Sequence, residues 1–323
     1  MRSASRRGFT LVELLTVIAI ISLMVTLAFP AVQAARDSAR RAQCQNNLKQ
    51  IGLGLLSFES AQEAFPTGRF GCDGGGAPWC PDPTDSSEEA NMRRSGASGF
   101  VFILPFLEQE NLVAPFNSDF RLVYNDFFPE SYSDPAIKKL ITMRPAVFVC
   151  PTSTSEASYT DSYGEFPVPL ADLATGTYAL CLGTIGPPYK LNLPSPKYEN
   201  TGMFIYAKPR RSEEITDGLS NTYAAGEVQA ADTYEGLNLW PHGSRLQSSL
   251  RTTANMLNTA PGTGKCWDPY AVGCINGAFG SDHPWGANFL FADGHVSFTS
   301  DEIDSTVYSA QATIAGGEVT SGK

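Results

Sequence analysis

Two parts of the chain carry side chains whose types and spacing suit chemistry. Glu13 is the single charge between Phe9 and Ala35. A carboxylate at bilayer depth is unfavourable by about 2.5–3.5 kcal/mol on insertion scales, so it needs a compensating group. Near the other end, His283, Asp293 and His295 could converge on one hairpin, with Asp282 adjacent and Glu227 on a candidate strand. Imidazole and carboxylate together can hold a metal or move a proton, given a cleft. The simpler reading is structural. Asp293-Gly294 is a tight-turn signal in which Asp293 bonds local backbone and Gly294 supplies positive φ. His283 would then bond into that turn and hold the preceding loop down. We expect no catalytic residues and no metal site. There is no G-x-S-x-G elbow, and GTGK at 262–265 lacks the phosphate-loop pattern, so the chain does not read as an enzyme.

The seven cysteines suit an oxidising compartment. Cys72 and Cys80 are eight apart, as are Cys266 and Cys274, and both pairs lie in Gly/Pro-rich stretches where a local bridge is plausible. Cys150 with Cys181 would make a third bridge, leaving Cys44 over on a helix. Several free thiols are the alternative, since connectivity is not written in spacing. No C-x-x-C occurs, which argues against a zinc ribbon or a thioredoxin-like site.

The elements that must position these residues follow from pattern. Phe9 to Phe29 is 21 residues, about 30 Å of helix, one hydrocarbon core. Arg2, Arg6 and Arg7 precede it, which places that end in the cytoplasm and the rest outside. Residues 1–50 carry seven cations and two anions, a net of +5, so the other 273 residues carry −15 of the total −10. An acidic body excludes nucleic acid as the expected partner. Beyond Pro30, which should bend the helix, Cys44, Leu48, Ile51, Leu55 and Phe58 recur at 4-3-4-3 spacing, a helical stripe expected to pack on a sheet. The helix should end near Ala64, before Pro66. Residues 66–99 read as a long loop. AVFVC (146–150), TYALCL (177–182), GMFIYA (202–207), NTYAAGEV (221–228), 288–292 and 295–298 read as strands, and FLEQENLVAPF (106–116) as a helix after Pro105. Of Trp79, Trp240, Trp267 and Trp285, most should be core.

RGFTLVELLTVIAIISLMVTLAFP, Arg7 to Pro30, resembles the class III signal of type IV prepilins and type II secretion pseudopilins. The resemblance implies cleavage between Gly8 and Phe9 by a prepilin peptidase, N-methylation of Phe9, and pairing of the new amine with Glu13 of a neighbouring subunit. That pairing would set the axial register. FGSDHPWGANFLFADGHVSFTS, with His283, Asp293 and Gly294 in an H-x9-D-G arrangement, is similar to the C-terminal end of the DUF1559 family, whose members carry prepilin-type N-termini. VFVCPTS, EITDGLSNT followed by GE, and LPFLEQENL also look like that family. Loops 66–99 and 266–274 depart from it. Some major pseudopilins bind calcium near the C-terminus, where Asp282, Asp293, Asp301, Glu302 and Asp304 crowd here; the D-x-[DN]-x-[DN]-G loop is absent, so no cofactor is expected and calcium is the remaining option.

The combined expectation is an α+β, pilin-like protein, with a long N-terminal transmembrane and spine helix packed on an antiparallel β-sheet with large loop insertions. Residues 1–8 are the leader, 9–64 the helix and 65–323 an extracytoplasmic β-rich domain. The chain would be a single-pass inner-membrane structural subunit with its C-terminal domain periplasmic or at the cell surface, working with prepilin peptidase and other pilin or pseudopilin subunits. The competing expectation is a surface module that binds polysaccharide or protein and borrows the prepilin export route.

Overall fold

A computed structural model describes residues 10–72, 80, 95–116, 134–160, 172–187, 195–229, 236–246, 248–266 and 273–317. They fall into two compact units, divided between Ala42 and Gln43. The first unit belongs to helix α1 (Leu11–Gln62), which runs on through Pro30. Its apolar side chains from Leu11 to Val32 are exposed, and α1 is long and apolar enough to cross a membrane. Ser22 and Thr26 turn their hydroxyls back to the Ile18 and Ser22 carbonyls at 2.7 Å, so neither is left bare on an apolar surface.

In the second unit the 4-3-4 stripe is buried: Cys44, Leu48, Ile51 and Leu55 all lie in the core, with Phe58 partly covered. This part of α1 packs on a five-stranded sheet ordered β5-β3-β4-β6-β7, where β3 is Tyr178–Gly183, β4 Tyr223–Glu227, β5 Leu250–Thr252, β6 Gly286–Phe291 and β7 Val296–Ser300. The pairings are antiparallel except β3 with β5, which is parallel, so the sheet is mixed rather than purely antiparallel. A separate two-stranded pair joins β1 (Ser158–Tyr159) and β2 (Leu173–Ala174). Every residue of β3, β4 and β6 is buried, because both sheet faces are covered. Alternation then divides the residues: Leu180, Leu182 and Leu290 join the core under α1, while Ala179, Cys181, Phe289 and Phe291 join a second core with Tyr308 of the helix Ser305–Ala310.

Gly52 explains how closely helix and sheet approach. A Cβ there would stand 2.7 Å from Leu290 Cδ1. Three elements differ from the sequence reading. AVFVC forms a 3-10 turn (Ala146–Phe148) instead of a strand, since Pro145 opens it and Asn47 Nδ2 donates to the Ala146 and Val149 carbonyls. The segment 202–207 makes an isolated bridge between Tyr206 and Arg69 but no strand. The helix after Pro105 is interrupted, as Glu108 takes φ 58 between a 3-10 turn (Leu104–Leu107) and the helical turn Glu110–Val113.

Candidate functional site

At the start of α1, Glu13 and Thr10 hold one another. The Thr10 N–H and hydroxyl both donate to Glu13 Oε2 at 2.8 Å, and the Glu13 N–H donates to Thr10 Oγ1 at 3.2 Å. This is a reciprocal capping box, which satisfies donors that a helix start otherwise leaves orphaned. The sequence carried the signal, Thr10-x-x-Glu13 before an apolar run, and the reading above missed it. Among the described residues Oε1 has no donor, so the carboxylate has an oxygen in reserve. Gly8 and Phe9, the expected cleavage and methylation positions, lie outside the described residues.

In the second unit, four chemically active side chains meet where α1 crosses the sheet. Cys44 of α1 is bridged to Cys150, which ends the segment after the 146–148 turn. The expected Cys150–Cys181 bridge is therefore corrected: Cys181 points to the opposite sheet face, is wholly buried, and is a free thiol that burial pushes up to about 12. Cys72 is bridged to Cys80 and Cys266 to Cys274. Against the Cys44–Cys150 bridge lies His283, its Nε2 3.5 Å from Cys150 Sγ and 3.3 Å from Glu227 Oε1. The potential ligand atoms of Cys44, Cys150, Glu227 and His283 all lie within 4.8 Å of one another, and all four residues are buried.

Each member is positioned by strand register or by a side-chain bond. Glu227 ends β4 opposite Tyr178 of β3. Its carboxylate accepts from the Asn288 N–H at 2.7 Å and from Asn288 Nδ2 at 3.0 Å, and Asn288 Oδ1 accepts in turn from Gln45 Nε2 of α1. The loop carrying His283 is tied down by the Gly280 N–H donating to the Glu227 carbonyl and by the His283 N–H donating to Ser281 Oγ. Tyr178 donates its hydroxyl to the Cys44 carbonyl at 3.2 Å; burial first, and the Glu227 charge second, push that phenol well above its ordinary value.

His283 and Asp293 do not meet. They lie beyond opposite ends of β6, a strand of six residues or about 20 Å. The expectation that His283 bonds into the Asp293-Gly294 turn is thus corrected. Asp293 Oδ1 instead accepts from the His295 N–H at 2.9 Å and lies 2.6 Å from His295 Nδ1, while Gly294 takes φ 85 beneath Leu56. The acidic residues of the C-terminal region are dispersed: Asp282 takes Thr154, Asp301 takes Asn258, and Asp304 caps the helix Ser305–Ala310. Trp240 is core, stacked on Phe148, whereas Trp285 is 77% exposed; Trp79 and Trp267 lie outside the described residues.

Comparison with known proteins adds four findings. Residues 3–29 match the prokaryotic N-terminal methylation motif. Over 96 residues the chain is 24% identical to the type II secretion system core protein G of Pseudomonas aeruginosa, a match spanning 30% of this chain and 65% of that protein. No solved structure matches. The motif and this similarity mark the chain as prepilin-type and pilin-like, and its one N-terminal apolar helix is consistent with membrane anchoring. Residues 33–306 match the family described as protein of unknown function (DUF1559), and the chain belongs to that family.

Proposed function

We propose that this chain is a structural subunit of a type II secretion or type IV pilus-like envelope assembly. Prepilin peptidase removes the leader between Gly8 and Phe9 and methylates the Phe9 amine. The arginines at 2, 6 and 7 keep that end cytoplasmic, α1 is anchored in the inner membrane, and the acidic domain stands outside. Subunits then pack through the N-terminal part of α1, whose apolar side chains from Leu11 to Val32 are exposed within one chain. The observation that carries this reading is the methylation motif over residues 3–29 joined to a helix whose start is organised around Glu13. Structure rather than catalysis is the role of the outer domain. Intact-mass and N-terminal fragment analysis of the native protein is the test. A mature chain starting at N-methylated Phe9 is expected; a chain starting at Met1 or elsewhere ends the proposal. Electron microscopy and cysteine cross-linking along α1 then test for filaments.

Trp285 favours a second reading, a surface module exported by the same route. It is a large aromatic left exposed and held at φ 71, an unusual conformation for its type. Glycan-array binding lost in Trp285→Ala would select that reading.

A further inference from the structure

We propose that Cys44, Cys150, Glu227 and His283 form a zinc site in the dithiol form of the protein, so that this point of the molecule is either a cross-link or a metal centre. Tetrahedral zinc with bonds of about 2.3 Å to sulfur and about 2.0–2.1 Å to nitrogen and oxygen sets S···N edges near 3.5 Å and N···O edges near 3.3 Å. Cys150 Sγ to His283 Nε2 is 3.5 Å, and His283 Nε2 to Glu227 Oε1 is 3.3 Å. Two edges of the tetrahedron are already in place. The two sulfurs, bonded in the oxidised form, must move apart to about 3.8 Å, and the remaining edges, bounded at 4.8 Å, must settle near about 3.5 Å.

The donor set selects the ion. Two thiolates, an imidazole and one carboxylate suit zinc over the hard cations that prefer all-oxygen shells. All four residues are buried, as in closed structural sites. The supporting bonds fit too, because ligands that are themselves hydrogen-bonded hold their geometry. Asn288 holds Glu227, the Cys150 N–H donates to Thr177 Oγ1 at 2.6 Å, and Tyr178 holds the Cys44 carbonyl. Interconversion needs a dithiol reductant. It gives two electrons and two protons to the bridge, breaking the S–S bond and leaving two thiols while becoming a disulfide itself. Zinc then displaces both protons from sulfur.

The test uses the full-length chain in detergent, reduced anaerobically with a dithiol that is then removed. Zinc is titrated against a chromophoric chelator, and cobalt is used as a spectroscopic probe. One tightly held zinc per chain is expected, with cobalt giving tetrahedral ligand-field bands and a thiolate charge-transfer band. Glu227→Gln and His283→Gln should each weaken zinc binding at least tenfold, on the scale by which even supporting residues act. The air-oxidised protein should lack the site. Should reduction unfold the outer domain, zinc is expected to restore its circular-dichroism spectrum. A reduced chain that takes up no zinc overturns the proposal, and so does zinc that fails to refold an unfolded one. Binding unchanged in both variants assigns the metal to the thiols of the Cys72–Cys80 or Cys266–Cys274 pairs and overturns it equally. If a variant does not fold, the wild-type cobalt spectrum decides, because a non-tetrahedral spectrum or one without the thiolate band is incompatible with this donor set.

Discussion

Glu227 Oε1 lies 3.3 Å from His283 Nε2, with the two side chains only 2% and 3% exposed. The same carboxylate takes both Asn288 donors, so removing it strands three buried groups at once. Breaking a buried pair from one side costs about 3–5 kcal/mol. Glu227→Ala should lose that much in urea denaturation. His295→Ala, which breaks the half-exposed partner of Asp293, should lose at most about 1 kcal/mol. Equal losses would show that burial is not what gives the Glu227 pair its weight.

Cys181 supplies a pH prediction. Its folded thiol is pushed from 9.0 up to about 12, by burial first. The unfolded thiol ionises first as pH rises. The stability that the neutral thiol contributes is therefore complete below pH 9 and falls between about pH 9 and 12, by up to about 1.4 kcal/mol per pH unit. Tyr223 and Tyr308 share this core and are likewise raised, burial again leading. Cys181 is itself a lesser cause of both shifts, so the difference between wild type and Cys181→Ala reads the thiol together with its coupling to the two phenols. Parallel stability curves from pH 8 to 11 would contradict it. Native Cys181 should also resist iodoacetamide at pH 8 until denaturant is added.

The legible parts of this fold were local. The stripe Cys44, Leu48, Ile51, Leu55 declares a buried helix face because spacing alone sets which side chains share it. TYALCL and NTYAAGEV became β3 and β4, and Asp293-Gly294 became the β6–β7 turn, since those signals lie within a few residues. What stayed hidden was non-local. Cys44 and Cys150 are 106 residues apart, and nothing in their spacing says that α1 carries one to the other. Glu227 and His283 meet only because β4 pairs with β6. β5 has three residues, too few for a period to be read, and it is held by its parallel pairing with β3.

Gly52 tests the packing of α1 on the sheet. Valine is a better helix former than glycine. Yet a Cβ at this position meets Leu290 Cδ1 at 2.7 Å and Gly294 Cα at 3.4 Å, and a branched side chain has no room. Gly52→Val should destabilise by about 1–3 kcal/mol, the usual range for overpacking. Leu53→Ala, one residue on at a position 64% exposed, should stay within about 0.5 kcal/mol. A stabilised Gly52→Val protein would mean that propensity outweighs contact here.

Glu13 has two separable roles, and one pair of variants divides them. In the capping box its carboxylate holds the Thr10 N–H and hydroxyl. Glutamine does this nearly as well, because the box needs an acceptor and not a charge. Register between subunits, as proposed, needs the charge, because only an anion compensates a neighbouring ammonium in a low dielectric. Glu13→Gln should therefore keep the helix start while failing to assemble. Glu13→Ala should lose both, since it removes the acceptor of the box as well as the charge. Helix content by circular dichroism in detergent and filament yield by electron microscopy read the two roles separately. Normal filaments from Glu13→Gln would leave the cap as the whole purpose of this carboxylate, and the assembly role would have to be given up.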